Sequence, residues 1–234
     1  MDESMIFSLF ISILVPLCAM MFLFDRKTRK SFLFIIVGTY VCVICGCVNG
    51  YIMTRTGADI FYLATTVTPV VEEFMKALPI FFYALFITDG KKRVLSASAA
   101  VGLGFALLEN IYVRTGLGSA PALSWTLSRC FGAGLMHCGC SVIVGYGMIM
   151  VRGSRRFFVP NLFAMFTTAV IYHGVFNALS GTGVYGLGPV LSLLVFGGLI
   201  LFYFRNRSKE ERESGGESET TEKNFSLTKP KGKD

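Results

Sequence analysis

An all-α membrane protein, a polytopic bundle of about seven transmembrane helices, is the fold class this sequence predicts, and three observations predict it. Hydrophobic residues make up 53% of the 234 positions and charged residues only 16%, against about a quarter charged in soluble domains; the mean hydropathy is +0.60. The apolar residues gather in seven runs, each near the roughly 20 residues that cross about 30 Å of hydrocarbon. The segments between the runs alternate between basic and nearly uncharged, as positive-inside sorting produces.

The first run, 4–24, follows MDES. This puts acid where a signal peptide carries its positive region, so a retained helix is expected. The second, 31–53, carries Cys42, Cys45 and Cys47 with the spaced pair Gly46 and Gly50. Small residues at these spacings let helices approach closely, and packing is favoured over a metal or disulfide role. The third (60–88) and fifth (122–151) are longer than a straight span needs, so they are expected to tilt or kink, the third at Pro69. The remaining runs lie near 94–113, 159–179 and 189–204. From Ser208 the chain reads SKEERESGGESETTEKNFSLTKPKGKD, with too little apolar surface to fold. The expected organisation is one transmembrane domain over 1–207 and a disordered, charged cytoplasmic tail over 208–234.

DRKTRK (25–30), DGKKR (89–93), RGSRR (152–156) and RNRSK (205–209) hold thirteen Lys or Arg, whereas the loops on the other side hold only Arg55 and Arg114. This asymmetry assigns the basic set to the cytoplasm, the N-terminus to the outside and the C-terminus to the inside. The net charge of +7 thus reports topology. Membrane lipid is the expected surrounding, and no nucleic-acid partner is expected.

Few ionisable side chains remain within the runs: Glu72, Glu73, Lys76, Glu109, Arg129, His137 and His173. Each ionised group at bilayer depth costs at least a few kcal/mol. Counted from the cytoplasmic end of each run, Glu73, Glu109, His137 and His173 all lie about 14 or 15 residues up, roughly 21 Å at 1.5 Å per residue. That level is just outside the midplane of a hydrocarbon layer of about 30 Å. Taken singly, the groups have simple explanations: an ion pair of Glu72 with Lys76 at i, i+4, or a core histidine bonded to a carbonyl. Four helices converging at one depth point instead to a functional cavity. Arg129, near the outer end of its run, is explained by snorkelling to the interface.

Acids and imidazoles around a trapped water suit hydrolysis with a carboxylate as general base. The histidines can polarise a carbonyl, stabilise an oxyanion or, with a glutamate, bind a metal such as zinc. Asn177 lies one turn beyond His173 on the same helix face, with an amide able to donate to an oxyanion. Asn110 follows Glu109 directly and points about 100° away around the helix, toward a neighbouring helix.

EEFMK (72–76), GFALLENIYV (104–113), Arg129 with His137 and Gly145, and HGVFN (173–177) resemble, in order and spacing, the four motifs of the PrsW family of intramembrane proteases. That family shares a superfamily with the CAAX-prenyl endopeptidases and bacterial Abi proteins. The resemblance covers about 60–180. Where the wider superfamily often has His in the second motif, this chain has Glu109, which fits the PrsW branch. The resemblance implies a multi-pass protein of the bacterial plasma membrane that cleaves a single-span membrane substrate, such as an anti-sigma factor, near its extracytoplasmic boundary. In the expected chemistry Glu72 or Glu73 activates water, Glu109 and His137 complete the water site, and His173 with Asn177 holds the oxyanion. Lys76 pairs with the acid that is not the base, and i, i+4 spacing favours Glu72 as that partner. No metal is favoured, since HExxH is missing from the sequence; a metal-dependent version would use zinc on His137, His173, Glu73 and Glu109. Two other classes share such residues: a proton- or ion-coupled transporter and a non-catalytic membrane scaffold.

Overall fold

A computed structural model describes residues 26–88, 90–116, 123–152, 158–181, 186–202 and 204–205. The run at 4–24 and the tail at 208–234 lie outside the described residues. Helix α1 (Arg26–Thr56) stops where Gly57 adopts φ +60°, the left-handed conformation that closes helices without a Cβ penalty. Asp59 then starts the next helical path by accepting the Tyr62 N–H at 3.0 Å. That path runs through α2 (Ile60–Tyr62), a π turn at Leu63–Val67, α3 (Thr68–Phe82) and a second π turn at Tyr83–Ile87. The break expected at Pro69 takes the form of the π turn just before it. Helices α4 (Lys91–Gly116), α5 (Leu123–Arg152) and α6 (Phe158–Gly181) follow, and α7 spans Leu187–Phe202.

The described residues are helical with short connections and contain no strand. Four of the helices are long and apolar enough to cross a membrane, at Lys30–Thr56, Lys91–Val113, Phe131–Met150 and Val159–Gly181. The contacts divide the chain into two units, 1–194 and 195–234, and the site lies in the first. There, α4 packs against α1 and α5, α5 packs against α6, and α3 touches all four.

Backbone proximity fixes these pairings. A Cβ on Gly38 would collide with the Val101 carbonyl oxygen of α4, and one on Gly104 with the Ile35 carbonyl oxygen of α1. Each helix therefore offers a glycine to the other's backbone, the means by which helices associate where lipid removes the hydrophobic drive. Among the described residues the pair expected to do this, Gly46 and Gly50, does not: nothing there lies within 4 Å of a Cβ placed at either, and it is the Gly38 face that α1 turns to α4. Cys45 does pack, against Val41 and Phe105, while Cys47 is exposed. Replacing Gly38 or Gly104 by Val is expected to destabilise the bundle by about 1–3 kcal/mol or more. Gly50→Val should stay within about 0.5 kcal/mol, as thermal unfolding in detergent will show.

Helix α3 is polar inside and apolar outside. Pro69, Glu72, Glu73, Lys76 and Ile80 form its buried stripe, while Val70, Phe74, Leu78 and Phe82 are exposed. A helix whose surroundings are hydrocarbon reverses the soluble pattern in this way.

Candidate active site

The buried stripe of α3 meets one polar side chain from each of α4, α5 and α6. Lys76 Nζ lies 2.6 Å from Glu73 Oε1 and 2.9 Å from His137 Nδ1 on α5. His137 Nε2 lies 2.8 Å from Glu109 Oε2 on α4. On the other side, Glu73 Oε1 is 2.8 Å from His173 Nδ1 on α6, and His173 Nε2 is 3.7 Å from Glu72 Oε2. Five side chains thus form one relay, Glu109, His137, Lys76, Glu73, His173, with Glu72 at its end. The two imidazoles meet edge to face, centroids 4.9 Å apart. Glu72, Glu73, Lys76, His137 and His173 are buried, and Glu109, with 16% of its side chain exposed, is where the cluster opens.

The expected pairing of Lys76 with Glu72 is corrected by this geometry: its partner is Glu73, at i, i+3. Two spacings of nearly equal worth are decided by tertiary contacts, because His137 draws the ammonium across α3 while His173 holds the same Glu73 oxygen.

These partners also dictate where the ring protons sit. An ammonium can only donate, so in the neutral ring His137 Nδ1 accepts and Nε2–H donates to Glu109. An ionised Glu73 can only accept, so His173 Nδ1–H donates to it and Nε2 keeps its lone pair. That nitrogen and Glu73 Oε2 have no hydrogen-bond partner among the described residues.

Asn177 is committed elsewhere. In the π turn the Thr68 N–H bonds to the Leu63 carbonyl, and the next residue, Pro69, has no N–H to give. The Ala64 carbonyl is thereby left over, and Asn177 Nδ2 donates to it at 2.8 Å. Gly174 lets α6 close on the neighbouring carbonyl, since a Cβ there would lie 2.6 Å from Thr65 O. Asn177 therefore fastens α6 to the segment leading into α3, a role different from the one the sequence suggested. Asn177→Ala is expected to cost about 1–3 kcal/mol, read as a lowered unfolding temperature in detergent.

Asn110 makes none of the cluster's bonds, and its Oδ1 is buried without a hydrogen-bond partner among the described residues. Arg129 lies on α5, with its side chain outside the described residues. Two participants carry no role in the sequence reading, although Phe105 belongs to the GFALLENIYV motif. The Phe105 ring, one turn before Glu109 on the same face, lies 4.7 Å from the Lys76 ammonium and 4.9 Å from the His137 ring. Gly102 lies against the backbone of His137 itself.

A multi-helix bundle with acids, an ammonium and imidazoles enclosed at its centre defines a polytopic membrane protein with an enzyme-like site. The profile of a family described as PrsW family intramembrane metalloprotease matches residues 26–204, and the chain belongs to that family. It is accordingly a multi-pass intramembrane protease. No curated protein and no solved structure matches it.

The family's description raises the question of a metal. Glu72, His137 and His173 are all buried and present ligand atoms within 4.8 Å of one another, and oxygen with two imidazole nitrogens suits zinc. This trio holds Glu72 where the sequence reading named Glu73 and Glu109. Glu73 behind His173 resembles the outer carboxylate that orients a metal-bound histidine. Donor type and spacing thus agree with a metal, but the state of His137 does not. Both its nitrogens are engaged, one of them by a cation. As arranged, the residues do not fit a divalent ion.

Proposed function

We propose that this protein is an endopeptidase that cleaves a single-span membrane substrate of the anti-sigma-factor type near the extracytoplasmic side of the bacterial plasma membrane, using water activated by Glu72. The observation that carries the assignment is the occupation of Glu73: one of its oxygens serves both Lys76 and His173, so Glu73 positions and Glu72 is the base. Glu72 Oε2 and His173 Nε2 lie 3.7 Å apart, a gap that a single water, bonding at about 2.8 Å to each, can bridge. Glu72 takes the water's proton as its oxygen attacks the scissile carbonyl carbon. His173 Nε2 accepts the water's second hydrogen bond, takes that proton as the tetrahedral intermediate collapses to a carboxylate with cleavage of the C–N bond, and delivers it to the leaving nitrogen. As charge develops, His137 Nε2–H, held by Glu109 until then, is shared with the oxyanion.

Around this centre, the span at 4–24 completes a seven-helix domain over 1–207, with the N-terminus outside and the tail at 208–234 in the cytoplasm. The excess of Lys and Arg in alternate loops supports that orientation. The reading is tested by co-expressing the full chain with single-span anti-sigma factors and locating cleavage by mass spectrometry. One cut in the outer part of the substrate span, absent with His173→Ala, is expected. An uncut panel, or a cut that His173→Ala leaves unchanged, rejects it.

A further inference from the structure

We infer that Lys76 is a built-in competitor of metal, the residue that keeps divalent cations out of the Glu72, His137 and His173 trio. The formal charges alone would attract a cation, since three carboxylates face one ammonium. What opposes it is where that ammonium sits. A cation on His137 Nδ1 must displace Lys76 Nζ, which lies 2.9 Å away on that lone pair. A cation on Nε2 forces the ring's one proton to Nδ1, where it faces the ammonium donor to donor across the same 2.9 Å. Either ligation requires Lys76 to leave or to give up its charge, and the Glu73 carboxylate at 2.6 Å holds it as an ammonium.

Lys76 has no easy way out. It is 1% exposed, held at 2.6 Å by Glu73 and faced by the Phe105 ring. Withdrawing the ammonium would strand Glu73, and a buried charge without its partner is costly. Remove Lys76, and the same site becomes a metal site: His137 Nδ1 is released, His173 Nε2 already carries a lone pair, and Glu73 stands behind His173 as an outer carboxylate.

The inference concerns metal uptake and not turnover, so it stands or falls separately from the proteolytic reading. Co2+ is titrated into the full chain in detergent, following the visible absorption of four-coordinate cobalt, with elemental analysis after gel filtration. The parent is expected to show no band and no stoichiometric metal. Lys76→Met and Lys76→Gln are expected to bind one Co2+ per chain about 10- to 100-fold more tightly than the parent, the size of effect that outer-shell changes have on metal sites. Adding His137→Ala should abolish that binding. A parent that takes up one Co2+ through a site lost in His137→Ala overturns the inference, as do folded Lys76 variants that bind no better than the parent. Should neither variant fold, the parent titration decides alone: a His137-dependent site overturns the inference, and its absence upholds it.

Discussion

Glu72→Gln is expected to leave the chain folded and to lower cleavage of a single-span substrate by about 10²- to 10⁴-fold, the usual contribution of a positioned general base. Glutamine keeps the size and one oxygen of the side chain but cannot take a proton from water. Glu73→Gln should behave differently. Glu73 neutralises Lys76 at 2.6 Å with both side chains buried, and breaking a buried pair by removing one partner costs about 3–5 kcal/mol. The two variants are separated by measuring cleavage and thermal unfolding on the same preparations. Loss of activity at unchanged stability identifies the base, whereas loss of both identifies the positioning acid. A Glu72→Gln protein that cuts at the parental rate would remove Glu72 from the mechanism.

Gly102→Ala is expected to reduce cleavage by about 10²-fold, the consequence of misplacing a catalytic group by about 1 Å. A Cβ at this position would overlap the His137 carbonyl oxygen and lie 2.7 Å from its carbonyl carbon and 2.8 Å from Cys138 Cα. Those atoms are backbone and cannot rotate aside, so α5 must move away from α4 at the residue that carries the imidazole. The bond from His137 Nε2 to Glu109, 2.8 Å between these two helices, lengthens with it. Overpacking also costs about 1–3 kcal/mol, so cleavage is compared at a temperature where both proteins are fully folded. Gly134→Ala serves as the control on the same helix, because nothing among the described residues lies within 4 Å of a Cβ there.

Much of this architecture is legible in the sequence because hydrocarbon imposes simple rules. Run length marks the helices, so α1, the path from α2 through α3, and α4 to α7 fall where hydropathy places them, and four of them are long and apolar enough to cross a membrane. Ionisable groups inside a span need a partner or a purpose; counting residues along each run gives Glu73, Glu109, His137 and His173 one expected depth, and in the structure hydrogen bonds link these four side chains through Lys76. Rotation about the helix axes is not legible to the same resolution. Glu72 and Glu73 are both compatible with a Lys76 partner from local spacing, and only the approach of His137 and His173 decides between them. Glycine roles are obscured for a related reason. GxxxG spacing is a local pattern, but which glycine touches a backbone depends on the face a helix turns to its neighbour, and among the described residues Gly38, Gly102 and Gly104 meet neighbouring backbone where Gly46 and Gly50 do not. Asn177 shows the third limit. Its bond to Ala64 answers a carbonyl freed by a π turn and a proline, a defect that no hydropathy count registers.

The ion pair inside α3 bears on how the protein is made. A translocating segment is judged for insertion as it emerges, and a charge near the middle of a helix weighs against it by about 2.5–3.5 kcal/mol. Glu73 and Lys76 lie three residues apart, so they can neutralise each other as soon as this turn has formed, before the chain reaches His137 or His173. Lipid can therefore accept α3 early and leave its polar stripe to wait for the imidazoles. Glu72, outside that local pair, remains the acid whose place in the bilayer depends on helices synthesised later.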